Sequence, residues 1–324
     1  MRPYRQTWAV VLAAGDGTRL ASLTTDSRGN AVPKQFCSLH GESSLLQDAL
    51  QRARAIAPRE RLCVIVAERH RTYWQEALWS LPERNVVVQP RNCGTAHGIL
   101  LAVLHILVRD PQAHVVFLPA DHYVRDEAAL ARGLETAAAL TKRNSQNLLL
   151  LGIEPDEPDP ELGYIVPGER RVDGARAVLH FVEKPQRELA RELMGRGALW
   201  NSFIFAAHGA ALLEMLRARL PETVAAMGRA VGQYVRDRHH ESLSELYSTL
   251  ETVDFSRAIV QGAEARLRVV TAAACGWTDL GTPQRVIEAL QRPLAPALSR
   301  RAATVAVPAL INLARQHARL QRTA

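Results

Sequence analysis

The residues best suited to chemistry lie in a glycine loop near the N-terminus and in a basic turn that follows it. An apolar run over Trp8–Ala14 leads into Gly15–Arg19, and Pro33-Lys34-Gln35-Phe36 comes shortly afterwards. Glycines let a backbone approach a ligand closely, and successive N–H groups in such a turn bind anions. The Arg19 guanidinium and the Lys34 ammonium suit phosphate oxygens. The sequence therefore predicts a nucleoside triphosphate site here, the alternative being a tight strand-to-loop turn with two solvated cations.

The glycine loop matches neither of the two common nucleotide fingerprints. The Rossmann fingerprint needs a third glycine where Leu20 stands, and the Walker pattern needs Gly-Lys-Ser/Thr after four spacers. A nucleotide bound at this loop is therefore held in another way.

Two aspartates from distant parts of the chain are predicted to hold a divalent cation. Asp121 follows an apolar run, with His122 beside it, and Asp279 lies between glycines next to an indole. Carboxylates beside a triphosphate are typical Mg²⁺ ligands. Each aspartate also has a structural alternative, because Asp121 could cap the helix near Glu127 and Asp279 the helix near Thr282.

Polar residues at the ends of other apolar runs are candidates for contacts with a second substrate and with a base. Glu183 could accept hydrogen bonds from sugar hydroxyls and Lys184 could hold a phosphate, or the two could form an exposed ion pair before a helix. Asn201 could bind a sugar ring or simply occupy a turn. Gly94 and Thr95 could read a base edge, with Thr95 as an N-cap the alternative.

Short apolar runs, typical of strands, alternate with helical patterns through most of the sequence that surrounds these residues. This rhythm predicts an α/β fold with a mainly parallel central sheet covered by helices on both faces, and ligands beyond the carboxyl ends of its strands. The predicted strands of the first half are Trp8–Ala13, Leu62–Val66, Val86–Gln89, His114–Leu118 and Leu148–Gly152. The predicted helices are Ser44–Ile56, Arg71–Ser80, Thr95–Arg109 and Glu127–Lys142.

The pattern changes after about residue 152, where a loop rich in proline and acid begins. Strands are predicted at Gly163–Val166 and Val178–Glu183, with a turn over Gly168–Gly174. We expect this half to supply the acceptor-substrate lobe of the same sheet. The predicted helices are Gln186–Gly195, Ala210–Arg219, Thr223–Val235 and Ser242–Thr249.

Composition narrows the class of protein. The 324 residues are 47% hydrophobic and 23% charged, which is typical of a soluble globular protein. We expect no membrane span, because no apolar stretch approaches about 20 residues, and no signal peptide. The four cysteines include no Cys-x-x-Cys pair, which disfavours structural zinc and favours a cytoplasmic location.

The positive charge is concentrated in a C-terminal tail, residues 292–324. Six arginines and no acidic residue lie there, so they carry six of the formal +7 and leave +1 for the rest. A nucleic-acid-binding body is therefore disfavoured. Leucines at helical spacing predict a short basic helical tail that packs on its own body or supports a homo-oligomer, with a membrane-surface or partner contact as the alternative.

These stretches together resemble the sugar-nucleotide pyrophosphorylases, in particular their mannose-1-phosphate guanylyltransferase branch, over roughly residues 7–290. The resemblance implies a three-layer Rossmann-like nucleotidyltransferase domain over residues 1–291, with 1–152 the nucleotide-binding half and 153–291 the sugar-phosphate half. It implies transfer of GMP from GTP to a hexose 1-phosphate, with mannose 1-phosphate favoured and Mg²⁺ as cofactor.

The resemblance also assigns roles residue by residue. It implies catalytic roles for Arg19, Lys34 and Lys184, and metal ligation by Asp121 and Asp279. It implies sugar-phosphate binding by Gly163, Glu183, Lys184 and Asn201. The implied nucleotide-binding residues are Ala14, Gly15, Gly17, Thr18, Arg19, Lys34, Gly94, Thr95 and Asp121.

Several positions depart from the family's usual pattern. Cys93 and His97 interrupt the run that carries Gly94 and Thr95, Phe203 follows Trp200-Asn201-Ser202 where glycine is common, and Asp254–Arg257 replaces an Asp-Tyr…Glu run. Two alternatives stay open. One is a nucleotidyltransferase for another nucleoside triphosphate or hexose 1-phosphate, and the other is a regulatory homologue that binds sugar nucleotides without catalysis.

Overall fold

The first strand of the computed structural model, β1 (Thr7–Ala13), is buried on both of its faces. Ala9 and Val11 pack into one apolar core, and Trp8 and Val10 into another. Side chains alternate across a strand, so a strand that is apolar throughout needs cover on both sides. The three-layer architecture predicted from the sequence is confirmed.

The structure describes residues 7–21, 23–25, 29–39, 43–237 and 241–291, without the side chains at 18, 236 and 237. The predicted tail, residues 292–324, and its predicted part in oligomer formation lie outside the described residues. Within them, the helices are α1 (Leu45–Ile56), α2 (Arg71–Ala77), α3 (Thr95–Leu107), α4 (Glu127–Leu140), α5 (Arg187–Gly195), α6 (Gly209–Arg219), α7 (Pro221–Asp237), α8 (Glu241–Thr249) and α9 (Pro283–Gln291).

The strands of both halves of the chain form one nine-stranded sheet in the order β3-β2-β1-β4-β9-β6-β10-β8-β7, and two short strands pair separately as β5 and β11. Besides β1, the strands are β2 (Leu62–Ala67), β3 (Val86–Gln89), β4 (His114–Pro119), β5 (Tyr123–Val124), β6 (Leu148–Ile153), β7 (Tyr164–Val172), β8 (Ala175–Val182), β9 (Leu199–His208), β10 (Leu267–Thr271) and β11 (Trp277–Thr278).

The sheet is parallel from β3 to β4 and mixed beyond that point. β9 lies between β4 and β6 and is antiparallel to both, while β10 is parallel to β6. Neither β9 nor β10 was among the predicted strands. The Phe117 and Phe205 rings, which are register partners on β4 and β9, stack at 4.7 Å and help to join the two halves.

The hairpin of the second half is longer than predicted. β7 continues through Gly168 to Val172, and the turn lies at Asp173 and Gly174. The predicted turn over Gly168–Gly174 therefore began too early, because a glycine inside a strand was given the weight of a turn signal.

The four cysteines are free and buried, so none takes part in a disulfide. Among the described residues, no helix is both long and apolar enough to cross a bilayer.

Candidate active site

A cavity of about 600 Å³ opens at the carboxyl ends of β1 and β4. This is where ligands bind in open α/β sheets. Arg19, Lys34 and Lys184 are not in the cavity wall, and the Thr18 side chain lies outside the described residues. The predicted site residues in the wall are Ala14, Gly15, Gly17, Gly94, Thr95, Asp121, Gly163, Glu183, Asn201 and Asp279.

The glycine loop is held in shape by a glutamine from the basic turn. The buried Gln35 donates from Nε2 to the carbonyls of Ala13, at 2.9 Å, and Gly15, at 2.8 Å. Since N–H and C=O point in opposite directions across a trans peptide, the following N–H groups face away from Gln35. Gly17 has φ 63°, and a Cβ there would lie 2.8 Å from the backbone nitrogen of Lys34. The loop therefore requires glycine at 17.

The turn before α3 is fastened to the segment that follows α8. Gly94 has φ 91°, and a Cβ on it would lie 2.3 Å from the Val253 carbonyl oxygen. The Thr95 hydroxyl accepts a hydrogen bond from the Phe255 nitrogen at 2.8 Å. Gly94 occupies the N-cap position of α3, so the alternative of Thr95 as the N-cap is wrong. This contact brings Asp254 and Ser256 into the cavity wall.

The two predicted metal ligands are brought together by the two-residue strands β5 and β11. Their antiparallel register pairs Thr278 with Tyr123 and Trp277 with Val124. Asp121 lies two residues before β5, and Asp279 immediately follows β11. Antiparallel pairing sets the residues before one strand beside those after the other. Both carboxylates therefore line the same end of the cavity.

Lys34 lies beneath these aspartates and is 4% exposed. Its Nζ is 3.0 Å from Asp121 Oδ2 and donates to the Asp279 carbonyl at 2.6 Å. Burial tends to raise the pKa of the Asp121 carboxyl, but the Lys34 ammonium and its hydrogen bond outweigh that effect and hold the pKa below its usual range. Lys34 thus links the two aspartates across the base of the cavity.

Asp279 is fixed from its other side by a buried arginine of α9. Arg285 Nη1 donates to Asp279 Oδ1 at 2.6 Å, and its Nη2 pairs with the Asp159 carboxylate. Its guanidinium lies 5.3 Å from the centre of the Trp200 ring. Asp279 Oδ1 also accepts from the Gly281 nitrogen at 3.0 Å, while Oδ2 lies 3.8 Å from Arg19 Nη2. We call Lys34, Asp121, Asp279 and Arg285 the floor cluster.

Neither predicted metal ligand caps a helix. The Asp126 side chain caps α4 by accepting from the Ala129 nitrogen at 2.9 Å. At the start of α9, the Thr282 hydroxyl accepts from the Arg285 nitrogen at 3.3 Å. The structural alternatives considered for Asp121 and Asp279 as helix caps are therefore wrong.

His122 is neutral and keeps a fixed orientation. Burial lowers its pKa to about 4, although the Asp121 carboxylate opposes the shift. The Trp277 indole donates to His122 Nδ1 at 3.2 Å, so the ring proton lies on Nε2, which is 3.7 Å from Asp121 Oδ1. His122 supports Asp121 without adding a second charge to the site.

Glu183 and Asn201 line another part of the cavity. A Cβ on Gly163 would lie 2.6 Å from Glu183 Oε2, so the glycine makes room for this carboxyl group. That oxygen is buried and has no hydrogen-bond partner among the described residues. Burial and the nearby Asp254 carboxylate raise the pKa of Glu183 to about 7. The Asn201 amide donates to Ser256 Oγ at 3.4 Å. A buried acceptor without a partner suits a ligand hydroxyl.

Backbone strain is concentrated around the cavity. Of four described non-glycine residues with positive φ, Lys184 (49°), Phe203 (56°) and Leu280 (50°) each lie within two residues of a predicted ligand contact. Such conformations cost about 1–3 kcal/mol and persist where the surroundings impose them. The family's glycine at the Phe203 position suits this φ, while here the Phe203 ring packs edge-on against Phe205 and Phe255.

Three charged side chains meet at the mouth of the cavity. Glu161 Oε2 is 3.4 Å from Arg19 Nη1 and 3.8 Å from Lys184 Nζ. The side chains of Arg19, Glu161 and Lys184 are 52%, 49% and 43% exposed. We call these three residues the rim triad. Lys184 therefore pairs with Glu161, and not with its neighbour Glu183 as the alternative of an exposed ion pair supposed.

The two carboxylates of the floor cluster fit a Mg²⁺ ion whose remaining ligands would come from water and a substrate. Among the described residues, no group of three His, Cys, Asp or Glu side chains could enclose a metal ion. Mg²⁺ commonly takes one or two carboxylates, waters and substrate phosphates. Asp121 and Asp279 meet that need, and the absence of a side chain at Gly281 makes room for Asp279 Oδ2, from which a Cβ would lie only 2.4 Å, and for the nearby Arg19 guanidinium.

Several residues of the site were not singled out from the sequence. Gln35 lies inside the Pro33–Phe36 motif, but its side-chain amide donates to the glycine loop and not to a ligand. Arg285 and Glu161 carried no signal, because a lone arginine in a helix or a glutamate in a loop reads as a solvated surface residue. Gln89, which lines the cavity, gave no functional signal because it stands at the end of a buried strand.

Comparison with known proteins shows the family of the chain. A family model described as nucleotidyl transferase matches residues 8–294. The chain belongs to the nucleotidyl transferase family. This confirms the resemblance found in the sequence.

Curated relatives are similar over most of this chain. XanB, a xanthan biosynthesis protein of Xanthomonas campestris pv. campestris, is 32% identical over 279 residues, covering 84% of this chain and 57% of the relative. Mannose-1-phosphate guanylyltransferase 2 of Escherichia coli O157:H7 is 31% identical over 291 residues, covering 85% and 58%. The chain thus spans little more than half the length of these relatives.

Solved structures share the fold. One described as mannose-1-phosphate geranyltransferase from Thermus thermophilus has a TM-score of 0.74 and 27% identity, covering 89% of this chain and 80% of that one. A UDP-glucose pyrophosphorylase bound to UDP-glucose has a TM-score of 0.57 and 18% identity, covering 88% and 97%. The second likeness concerns the fold alone.

Proposed function

We propose that the protein transfers GMP from GTP to a hexose 1-phosphate, with α-D-mannose 1-phosphate favoured, and releases pyrophosphate. An oxygen of the sugar phosphate attacks the α-phosphorus, and the bond to the bridging oxygen of pyrophosphate breaks on the opposite side. The reaction needs positioning and neutralisation of charge more than covalent chemistry by the protein. The curated relatives named as guanylyltransferases support the choice of GTP and mannose 1-phosphate.

The glycine loop and two cations are assigned to the triphosphate. Gln35 turns the Ala14 and Asp16 N–H groups away from itself, which is the arrangement an anion-binding loop uses. Arg19, on the rim, is placed to follow charge that develops on the leaving pyrophosphate. Lys34 acts from below, by holding Asp121 and the Asp279 backbone together.

The sugar phosphate is assigned to the part of the cavity that Glu183 and Asn201 line. Lys184 holds its phosphate, while Glu183 and Asn201 bind hydroxyls of the ring. Gly163 leaves room for the Glu183 carboxyl. Phe203 narrows this end of the cavity and limits the size of the sugar.

Mg²⁺ is assigned to Asp121 and Asp279. When bound, it would neutralise phosphate charge and orient the two substrates. The floor cluster orients both carboxylates before any substrate arrives, because Lys34 and Arg285 restrain one aspartate each. This convergence of two distant aspartates at the glycine loop carries the proposal.

The test is pyrophosphate release from a matrix of four nucleoside triphosphates and several hexose 1-phosphates, each with Mg²⁺. GTP with mannose 1-phosphate is expected to give the highest kcat/KM. A different best pair would replace the assigned substrates and keep the reaction. Silence across the matrix would favour a regulatory protein that binds sugar nucleotides.

A further inference from the structure

One carboxylate, Glu161, contacts two cations that the proposed function assigns to different substrates. Its Oε2 is shared by Arg19, assigned to the triphosphate, and Lys184, assigned to the sugar phosphate. A carboxylate oxygen offers these cations the same kind of charged acceptor as a phosphate oxygen. Glu161 therefore occupies a place where phosphate charge is needed during the reaction.

The Glu161 backbone is linked to the floor cluster through Asp159. Its backbone nitrogen donates to Asp159 Oδ1 at 2.7 Å, and the other Asp159 oxygen pairs with Arg285, which binds Asp279. The Glu161 backbone is thus anchored to buried groups while its side chain stays half exposed. An anchored backbone with a half-exposed carboxylate suits a group that must move aside.

We propose that Glu161 is a specificity-determining residue that acts as an internal competitor for phosphate. It lowers the affinity of the site for any single anion, because each anion must displace the carboxylate from its cation. Once a triphosphate takes Arg19, its negative charge repels Glu161 and weakens the hold on Lys184. The two substrates then assist each other's binding, and the assistance is reciprocal. This rests on the proposed assignment of Arg19 and Lys184.

The test compares inorganic pyrophosphate binding to the wild-type protein, Glu161→Gln and Glu188→Gln, by calorimetry in a metal chelator. Glu188 lies in the first turn of α5, and its substitution removes the same charge outside the cavity wall. Half-exposed ion pairs are weak, so Glu161→Gln is expected to bind pyrophosphate about three- to tenfold more tightly. Glu188→Gln is expected to stay within about twofold of wild type. Glu161→Ala, checked by thermal melting, should agree with Glu161→Gln.

Equal or weaker pyrophosphate binding by both Glu161 variants would overturn the proposal, and so would the absence of binding in every protein tested. Failure of the proposed function would look different, because the wild-type protein would then release no pyrophosphate in the substrate matrix. A silent matrix together with tighter pyrophosphate binding by Glu161→Gln would leave the competitor role in place and remove the assigned reaction.

Discussion

The floor cluster and the rim triad use the same kinds of charge in opposite ways. Arg285 is 9% exposed and Lys34 is 4% exposed, and each is fastened to more than one acceptor. Arg19 and Lys184 are about half exposed and share the half-exposed Glu161 carboxylate, and Arg19 Nη2 also lies 3.8 Å from Asp279 Oδ2. Buried ions need several partners to offset lost hydration, whereas exposed ion pairs contribute little to stability.

This difference separates orientation from binding. The floor cluster keeps the two aspartates in place whether or not a substrate is present, so its loss should damage the fold as well as the reaction. The rim triad can rearrange at little cost, so its loss should change substrate binding and turnover while sparing the fold.

The largest effect on stability is expected from Arg285→Met. It leaves Asp159 and Asp279 buried without their shared cation, which should lower the free energy of unfolding by about 3–5 kcal/mol in urea titrations. Arg266→Met is the control, because Arg266 pairs with Glu214 at 3.6 Å in an exposed position. It should cost less than about 1 kcal/mol. Similar losses in the two variants would remove the distinction between floor and surface.

Asp279→Asn is expected to lower kcat at least about 100-fold, because the charge that orients a divalent cation is lost. Its amide oxygen can still accept from Arg285 and the Gly281 nitrogen, so the loss of stability should be smaller than in Arg285→Met. Asp110→Asn is the matched control, since that carboxylate also accepts from an arginine, Arg61, at 2.7 Å. Normal turnover in Asp279→Asn would reduce this aspartate to a structural role.

Substitutions in the rim triad should affect KM and spare the fold. Arg19→Gln is expected to raise KM for the triphosphate about tenfold, and Lys184→Gln to raise KM for the sugar phosphate by a similar factor. Each should change the free energy of unfolding by less than about 1 kcal/mol, because the side chains are half exposed. Steady-state kinetics with each substrate varied in turn would measure this. An unchanged KM for the triphosphate in Arg19→Gln, or for the sugar phosphate in Lys184→Gln, would contradict these assignments.

The smallest effect concerns pH. Glu183 has a pKa raised to about 7, while an unfolded glutamate titrates near about 4.3. Its proton is lost as the pH rises through about 7, and the carboxylate accepts more hydroxyl hydrogen bonds. KM for the sugar phosphate should therefore fall several-fold between about pH 6 and 8. Because the folded state keeps the Glu183 proton to a higher pH than the unfolded state does, the contribution of Glu183 to stability falls as the pH rises from about 4.3 to about 7. Glu183→Gln should flatten both profiles, and an unchanged KM profile would contradict the assignment.

The sequence was sufficient for the parallel half of the fold. β3 was predicted with its observed bounds, and β1, β2, β4 and β6 differ by one residue at an end. Strands buried on both faces read as continuous apolar runs between turns. β9 was missed because Asn201 and Ser202 interrupt its apolar pattern, the first to line the cavity and the second to donate to the Leu151 carbonyl at 2.5 Å.

The site was predicted as a set of residues, but its layout was not. β5 and β11 bring Asp121 and Asp279 together with two residues each, too few for any periodicity to reveal. Lys34 reads as a solvated cation, and its burial depends on acceptors far along the chain. Glu161 and Arg285 acquire their roles only through these long-range contacts.

The most direct test of nucleotidyl transfer is phosphorus NMR of GTP and mannose 1-phosphate incubated with the protein and Mg²⁺. The proposed reaction breaks the bond between the α- and β-phosphates. The spectrum should therefore gain the resonances of a nucleoside diphosphate sugar and of pyrophosphate, with the two products in equal amounts. The appearance of orthophosphate and GDP instead would place the broken bond at the γ-phosphate and contradict nucleotidyl transfer.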